Sequence, residues 1–492
     1  MKVLLFGTGD YYNRYKIWFE RKEVLALIDN SKEKQGQYID GILVIPPEDI
    51  ARYEDEYDAV VILSFYVKTM KEQLIHLGVE ENKIYHFFDL HSLICHNEMK
   101  REIRYYAYGQ RDSEKILLLS HDLTLGGPAL ALYHAAQVLV RRGYQAVYGS
   151  MLDGPLRKIL AEEGIPVVVD ENLMIETMRE NEWIRGYSLV ICNTMNFHVF
   201  LSVRDKNIPV AWWLHDALFF YDGVSAEVMD KLETENMKIW SVGPIPERAV
   251  KTFRPDFHVE DLLYGVADQK KEKNELDRHD NNSKLIRLID EDKNRKEPQG
   301  KRIDKIRFIT IGYIEYRKGQ DILLEAIRRL RPDVRQKAEF FFVGQNTSLM
   351  AQEIMEIAGD IPEIIVTGPV DREEVDKLLN QSDVLVCPSR EDPMPTVAAE
   401  AMMHEVPCLI SNTTGTARYL RDDLDGIVFQ SGNAEQLGDV LSKCIQGYYD
   451  LERMGRNARR VYEKYFSMEA FENRFMSLIE QAGAPSGQKP KS

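Results

Sequence analysis

The segment from residue 383 to residue 410 restricts the fold of this chain more than any other. It reads as a short apolar strand over 383–387, a loop that carries Asp392, a helix that carries Glu400, and a second apolar strand over 406–410. Apolar strands joined through a helix are typical of parallel sheets covered by helices. Ligands of such open sheets bind in the crevice beyond the carboxyl ends of the strands. We therefore predict an α/β fold with both acids on the rim of a ligand crevice.

An upstream loop combines glycine with positive charge. Residues 308–311 read as a strand and 321–330 as an amphipathic helix, and the loop between them contains Arg317 and Lys318 before Gly319. Cations beside a helix N-terminus suit a diphosphate, because the first helical N–H groups add donors. Taken alone, the same residues are more typical of an ordinary pair of surface cations than of a phosphate site.

Strands and helices alternate through the chain after residue 115. Further strands are predicted over 116–120, 146–149, 188–192, 210–214, 339–343 and 364–366. This alternation predicts doubly wound parallel sheets. Gly126 and Gly127 open a helix after the strand at 116–120, where they either admit a phosphate to the backbone or serve tight packing.

Two polar residues at strand ends are further site candidates. His215 follows the strand 210–214, beside Trp213, and can donate to a hydroxyl or a phosphate oxygen at neutral pH. Asn193 follows the strand 188–192, where a turn or a cap accounts for it equally well.

The order of strand, acid, tight loop, acid-bearing helix and strand resembles the donor-sugar motif of glycosyltransferase family 4, a family with the GT-B fold. Asp392 and Glu400 stand at its two acidic positions, and Lys318 matches the lysine before glycine in the family's phosphate-binding loop. Gly126 and Gly127 resemble the glycine loop that faces the donor diphosphate. The resemblance covers about residues 115 to 480 and implies two Rossmann-like domains.

The resemblance also implies roles for the matching residues. Asp392 would orient the sugar of a nucleotide-sugar, Glu400 would hold its ribose, and His215 would contact the sugar or a phosphate. Lys318, together with Arg317, would stabilise the departing diphosphate. The expected catalytic residues are His215, Lys318 and Asp392. The other donor-binding positions are Val370, Met394 and Thr396, with Asn193 on the acceptor side.

The predicted function is transfer of a sugar from a nucleotide-diphosphate sugar to an acceptor hydroxyl with retention of anomeric configuration. The resemblance implies a hexosyltransferase of polysaccharide or glycoconjugate synthesis, a glycan or lipid-linked acceptor, and no cofactor or metal. Four positions depart from the family pattern: Tyr313, Pro393, Pro395 and Arg418. They leave open a catalytically silent nucleotide-sugar-binding subunit, and a GT-B epimerase or phosphorylase would share the fold.

The chain divides into six predicted segments. They are a small Rossmann-like accessory domain at 1–95, a helical linker at 96–114, the N-terminal GT-B domain at 115–268, a charged, flexible insertion at 269–307, the C-terminal donor domain at 308–482, and a disordered tail at 483–492. We expect the last helix of the donor domain to pack back on the N-terminal half.

The accessory domain resembles those that precede sugar-modifying acyltransferases. Gly7 and Gly9 are present, but Tyr12 replaces the third glycine of the dinucleotide fingerprint, which argues against bound NAD. A regulatory, nucleotide-sensing or protein-docking role is the more natural expectation. We expect this domain to fold alone and to be dispensable for the chemistry.

Composition excludes several classes of protein. With 63 basic and 79 acidic residues the formal net charge is −16, which argues against broad nucleic-acid binding. The short apolar start and the absence of any long apolar run predict a cytoplasmic protein, and the basic stretches 331–337 and 456–460 are candidates for peripheral contact with anionic lipid. The five cysteines lack metal-ligand spacing and are expected to be reduced.

Overall fold

The structure is a computed structural model that describes residues 1–93, 103–106, 115–269, 305–345 and 349–483. Residues 270–304 of the predicted flexible insertion, 484–492 of the predicted tail and most of the predicted linker lie outside these residues. Residues 306 and 307, which were assigned to the insertion, instead begin a strand. The described strands form three sheets of six, eight and six strands. Their short, buried apolar runs are the ones that the sequence marks as parallel strands.

The first sheet belongs to the accessory domain. Its strands are β1 (Lys2–Phe6), β2 (Glu23–Ile28), β3 (Tyr38–Ile39), β4 (Ile42–Ile45), β5 (Ala59–Ile62) and β6 (Ile84–His86). They lie in the order β3-β4-β2-β1-β5-β6, and only the β3–β4 pair is antiparallel among the described pairs. Its helices are α1 (Asp10–Tyr15), α2 (Val67–His76) and α3 (Leu90–Leu93). The predicted Rossmann-like alternation is therefore present.

The second sheet has β8 and β11 at its centre. Its strands are β7 (Arg104–Tyr106), β8 (Lys115–Ser120), β9 (Gln145–Ser150), β10 (Val167–Val169), β11 (Leu189–Asn193), β12 (Val210–Leu214), β13 (Met237–Ser241) and β14 (Val259–Asp261), in the order β14-β13-β12-β11-β8-β9-β10-β7. Its helices are α4 (Gly127–Arg141), α5 (Leu156–Glu162), α6 (His198–Ser202), α7 (Ala226–Asp230) and α8 (Pro244–Phe253). The central strands are parallel and almost wholly buried, as predicted.

Strand β7 corrects one prediction. Residues 104–106 fall in the predicted helical linker, but they form an edge strand antiparallel to β10. The physical reason is that two tyrosines favour a pleated, half-buried surface and that β10 offers them an open row of backbone groups. Arg104 adds an ion pair with Glu171, at 3.2 Å between Nη2 and Oε1.

The third sheet is entirely parallel in its described pairs. Its strands are β15 (Ile306–Ile311), β16 (Ala338–Val343), β17 (Ile364–Gly368), β18 (Val384–Cys387), β19 (Cys408–Ser411) and β20 (Gly426–Phe429), in the order β17-β16-β15-β18-β19-β20. Its helices are α9 (Gln320–Arg329), α10 (Pro332–Arg335), α11 (Leu349–Ala358), α12 (Arg372–Asn380), α13 (Thr396–Met403), α14 (Ala434–Ile445), α15 (Leu451–Val461) and α16 (Met468–Gln481).

The strand order of this sheet reverses between β15 and β18. From β15 the chain proceeds outward through β16 and β17, and from β18 it proceeds outward in the other direction. In open α/β sheets, such a reversal of strand order marks the place where ligands bind, beyond the carboxyl ends of the strands. The loops that leave β15 and β18 are the two that carry the predicted site residues of this region.

The chain divides into two compact units. The first contains Met1–Trp240, Glu247–Glu260 and Ile479–Ser492, and the second contains Ser241–Pro246 and Asp261–Leu478. The accessory domain and most of the second sheet thus share the first unit, while the third sheet lies in the second. Each unit has its own buried apolar core.

Candidate active site

The loop after β15 is shaped by a glycine that no other residue could replace without strain. Gly319 has φ of +70°, and a Cβ at this position would lie 2.0 Å from the carbonyl oxygen of Pro388. Only glycine adopts such a conformation freely and also leaves that space empty. Gly319 therefore brings the β15 loop directly against the backbone that follows β18 and also precedes the first residue of α9.

Two cations of this loop converge on one carboxylate. Lys318 Nζ lies 2.6 Å from Asp392 Oδ2, and Arg317 Nη1 lies 3.8 Å from the same oxygen. Arg317 also donates to the carbonyl of Glu391 at 3.2 Å. Asp392 is only 5% exposed, so this charge is shielded from solvent and needs its cations. The structure thus brings together three residues that the sequence marked separately.

The acidic loop is fixed through its carbonyls, since its prolines have no N–H to donate. Gly415 donates to the carbonyl of Asp392 at 2.9 Å, and the Tyr264 hydroxyl donates to that of Met394 at 3.1 Å. The side chain of Met394 is buried, and Thr396 is the first residue of α13. Pro393 and Pro395 therefore fit a loop whose carbonyls accept hydrogen bonds from other segments and whose own N–H groups are not needed.

Glu400 projects from α13 and forms an ion pair with Arg372, the first residue of α12. Val370 lies two residues before this arginine, in the connection between β17 and α12. A carboxylate oriented by one cation keeps acceptor sites for a hydroxyl pair. The sequence interpretation missed Arg372 as a site residue. The only hint in the sequence is that a positively charged residue begins the helix after Val370.

Burial keeps two neighbouring groups protonated. Burial, together with the charge of Asp392, raises the pKa of the Cys387 thiol to about 12. Burial, followed by the charges of Asp392 and Glu400, raises the pKa of Tyr264 well above its usual value. Tyr264 therefore remains a hydrogen-bond donor to the acidic loop throughout the physiological range.

In the first unit, the predicted glycine turn opens α4. Gly126 is the residue before the helix, in extended conformation, and Gly127 is its first residue. The Gly126 N–H lies 3.3 Å from the Thr124 hydroxyl. This turn is compatible with both predicted roles of the glycines, the approach of a phosphate to the backbone and tight packing.

Asn193 is buried and His215 half-buried, and each has a buried polar atom with unused hydrogen-bonding capacity. Within the described residues, His215 Nε2 and Asn193 Oδ1 have no hydrogen-bond partner, whereas Asn193 Nδ2 donates to the Pro128 carbonyl at 2.7 Å. Burial, with the charge of His121, lowers the pKa of His215 to about 3. The imidazole is therefore neutral at physiological pH. An unpaired buried polar atom costs stability and is typical of a ligand site.

A cluster of four further residues surrounds this position and was missed by the sequence interpretation. His121 Nε2 lies 3.3 Å from Asp122 Oδ2, and its Nδ1 lies 3.4 Å from the Thr194 hydroxyl. Asp216 accepts from the Met195 N–H at 2.6 Å. The available signal was position, because His121 and Asp122 follow β8 directly, as His215 and Asp216 follow β12.

Charge in this cluster is set by mutual contacts. Burial opposes a charged imidazole, but the carboxylates of Asp122 and Asp216 outweigh it and raise the pKa of His121. Burial likewise opposes ionisation of Asp122, and His121 and Thr124 outweigh it, so the pKa of Asp122 falls well below its usual range. Burial raises the pKa of Asp216. The cluster is thus an ion pair held away from solvent.

Thr194 has a backbone conformation that threonine rarely adopts. Its φ is +78°, and its carbonyl accepts from Trp212 Nε1 at 2.8 Å. Such conformations cost about 1–3 kcal/mol, persist only when the surroundings impose them, and cluster at functional sites. The hydroxyl of this strained residue lies 3.4 Å from His121 Nδ1.

The described residues contain neither a metal-ligand cluster nor a helix able to span a membrane. No group of three or more His, Cys, Asp or Glu side chains there could hold a metal ion. In the same residues, no helix combines the length and apolarity that a membrane span requires.

Three family models match the chain. Residues 291–461 match glycosyl transferases group 1, residues 112–238 match glycosyl-transferase family 4, and residues 1–85 match C2185-like, N-terminal. The first two cover the regions where the sequence resembles glycosyltransferase family 4.

Curated relatives align with about a third of the chain. An uncharacterized glycosyltransferase of Methanocaldococcus jannaschii is 24% identical over 164 residues, which are 33% of this chain and 42% of that protein. The D-inositol 3-phosphate glycosyltransferase of Xylanimonas cellulosilytica is 23% identical over 171 residues, 35% of this chain and 41% of the relative. The amylovoran biosynthesis glycosyltransferase AmsK of Erwinia amylovora is 23% identical over 184 residues, 36% and 45% respectively. The chain spans less than half the length of these relatives.

Solved structures resemble the chain over more of its length. Anabaena Alr3699/HepE in complex with UDP and glucose has a TM-score of 0.57 at 15% identity and covers 75% of this chain and 99% of its own. Sucrose-phosphate synthase from Thermosynechococcus elongatus has a TM-score of 0.54 at 16% identity, with the same two shares. These likenesses confirm the predicted GT-B fold.

Proposed function

Because this chain belongs to glycosyltransferase family 4 and has the GT-B fold, we propose that it transfers a sugar from a nucleotide-diphosphate sugar to an acceptor hydroxyl. The anomeric configuration is retained, and no metal or other cofactor takes part. The acceptor is a glycan or a lipid-linked glycan of polysaccharide or glycoconjugate synthesis, and the enzyme works in the cytoplasm or at the inner face of the membrane.

The observation that carries the proposal is the convergence of Lys318 and Arg317 on Asp392 at the reversal point of the third sheet. Both cations adjoin the first turn of α9. A diphosphate bound there would meet their side chains together with the helix N–H groups. Solved neighbours bind UDP and UDP-glucose, which supports the same class of donor.

Catalysis then depends on stabilising the negative charge of the departing diphosphate. As the bond between sugar and phosphate breaks, negative charge grows on the diphosphate, and Lys318 retains N–H donors beyond the one directed at Asp392. Asp392 accepts from sugar hydroxyls and fixes the sugar. Glu400, oriented by Arg372, accepts from the ribose hydroxyls, and Val370 lies near the base.

His215 and Asn193 are the candidate polar residues of the first unit. The neutral imidazole of His215 has an unused ring nitrogen, and Asn193 has an unused oxygen, when only the described residues are considered. Each can bond a hydroxyl or a phosphate oxygen. We assign His215 to the sugar or phosphate and Asn193 to the acceptor side.

The test is a thermal-shift panel of UDP-, GDP-, ADP- and dTDP-sugars, followed by incubation of the best ligand with water as the acceptor. A ligand at a hundred times its dissociation constant adds about 2.7 kcal/mol to the free energy of unfolding. We expect one nucleotide class to stabilise the chain and its sugar to be released slowly, with the donor's anomeric configuration in the first product seen by NMR. Lys337→Ala, at an exposed lysine of the same domain as Lys318, is the control for Lys318→Ala in this assay.

The outcomes separate the alternatives. Stabilisation without release of sugar or transfer to any acceptor would favour a silent binding subunit, consistent with Tyr313 at the position of the family's arginine. Release of an epimerised nucleotide-sugar would favour an epimerase. No stabilisation by any nucleotide-sugar would contradict the proposal.

A further inference from the structure

The accessory domain packs tightly against the second sheet's domain within the first unit. The ring of Phe65 lies 4.6 Å from that of Phe220, and the ring of Phe88 lies 5.3 Å from that of His198. A Cβ added to Gly223 would lie 2.9 Å from His86 Cε1. Contacts of this density fix the two domains in one arrangement.

One cation of the accessory domain reaches the buried cluster. Arg14, on α1, places Nη1 3.3 Å from Asp122 Oδ2, although the two residues lie 108 positions apart. Asp122 is 3% exposed and accepts the Thr124 N–H and hydroxyl through its other oxygen, at 3.1 and 2.8 Å. The oxygen that Arg14 contacts is the same one that lies 3.3 Å from His121 Nε2.

We infer that Arg14 is a positioning residue of the reaction site, which holds Asp122 and through it the orientation and proton of His121. The accessory domain is thereby part of the active site. The expectation of a dispensable module, drawn from sequence alone, is replaced by this inference. The catalytic consequence rests on the proposed function, whereas the link between Arg14 and His121 does not.

The charge around His121 explains how Arg14 would act. His121 is faced by Asp122 on its own segment, Asp216 and His215 on the segment after β12, the Thr194 hydroxyl after β11, and Arg14 on α1. Both carboxylates attract a proton to His121, and the guanidinium opposes them. Without Arg14, the Oδ2 oxygen of Asp122 would keep only its contact with His121, and the charge of Asp122 would act on His121 without an opposing cation.

The experiment is an NMR titration of the His121 ring in the full chain, with the resonance assigned through His121→Gln. In Arg14→Gln we expect the midpoint of His121 to rise by at least about 0.5 pH unit, because a nearby cation has been removed. Arg14→Lys should restore part of the wild-type midpoint. Lys16→Gln is the matched control, since Lys16 is the next cation along the same domain and pairs with Asp40 at 2.7 Å.

A second readout addresses the reaction. With the donor identified by the thermal-shift panel, Arg14→Gln should lower kcat about tenfold and leave KM for the donor unchanged, and Lys16→Gln should change neither. Unchanged His121 titration in both Arg14 variants, with wild-type near-ultraviolet circular dichroism, would overturn the inference. If no nucleotide-sugar binds even the wild-type chain, the proposed function fails, while a raised His121 midpoint would still support the link from Arg14.

Discussion

Asp392 and Asp122 are both buried carboxylates beside an arginine, but their surroundings are assembled in opposite ways. The partners of Asp392 come from the neighbouring strand-loop-helix unit of one sheet, and Lys318 and Arg317 are adjacent in sequence. Asp122 contacts the adjacent His121, but its arginine comes from a separate domain at the start of the chain. The first arrangement follows from a local motif, whereas the second requires two folded domains to meet.

The two regions also differ in how completely they satisfy their polar atoms. Around Asp392 the ionic contacts of the described residues join partly exposed cations to a shielded acid, with Lys318 21% exposed. In the buried cluster, His215 and Asn193 each keep an atom without a hydrogen bond from the described residues. Paired charges favour a stable resting site, and unpaired atoms favour a site completed by a ligand.

The largest effect should come from Lys318→Ala. We expect kcat to fall about 100-fold or more, because one donor to a developing negative charge is worth roughly that factor. Affinity for the free nucleoside diphosphate should change less, since the charge grows only in the transition state. Steady-state kinetics and calorimetry measure the two quantities, with Lys337→Ala as the control. Full turnover in Lys318→Ala would contradict the assignment of Lys318 to the departing diphosphate.

Gly319→Ala tests how far the loop that carries Arg317 and Lys318 depends on the backbone conformation of Gly319. The strain of φ +70° and the overlap with the Pro388 carbonyl should add to roughly 2–4 kcal/mol of lost unfolding free energy. Gly432→Ala is the matched control, because Gly432 has φ of +79° but open space around its Cβ position, and it should cost only about 1 kcal/mol. Urea unfolding measures both. Equal losses would mean that the close approach to Pro388 has no energetic weight.

Acid should lower the free energy of unfolding because His215 is held neutral in the folded chain. Its pKa is lowered to about 3, so between pH 6.5 and pH 3 the unfolded chain binds a proton that the folded chain does not, and stability falls as the pH drops. His215→Gln should reduce the loss between pH 7 and pH 5 by roughly 1–2 kcal/mol. The exposed His76→Gln variant should leave the loss unchanged. A His215 variant that loses as much stability as the wild type would show that this imidazole is not held neutral.

The smallest effect should come from Glu400→Gln, which keeps the shape of the side chain and removes its charge. We expect the dissociation constant of the free nucleoside diphosphate to rise roughly tenfold, the weight of one charge-assisted hydrogen bond. Glu435→Gln, at an exposed glutamate of α14, should have no effect. Calorimetry with the nucleotide alone measures this, and an unchanged affinity would exclude a ribose contact.

Sequence alone predicted the parts of the molecule that are encoded locally. The strands and loops around Lys318, Asp392 and Glu400 could be located because short apolar runs, glycine turns and charges recur at fixed spacing. Contacts between distant segments leave no such pattern. Arg14, the strained Thr194 and the strand β7 were missed for that reason, because each depends on a partner brought near only by folding.

The three-residue strand β7 has a consequence for solubility. By covering one edge of the eight-stranded sheet, it occupies backbone groups of β10 that would otherwise be available to a strand from another molecule. The segment that joins the accessory domain to the rest of the chain is therefore also a guard against edge-to-edge aggregation. Shortening that segment at residues 104–106 would endanger the solubility of a chain whose fold and chemistry are otherwise intact.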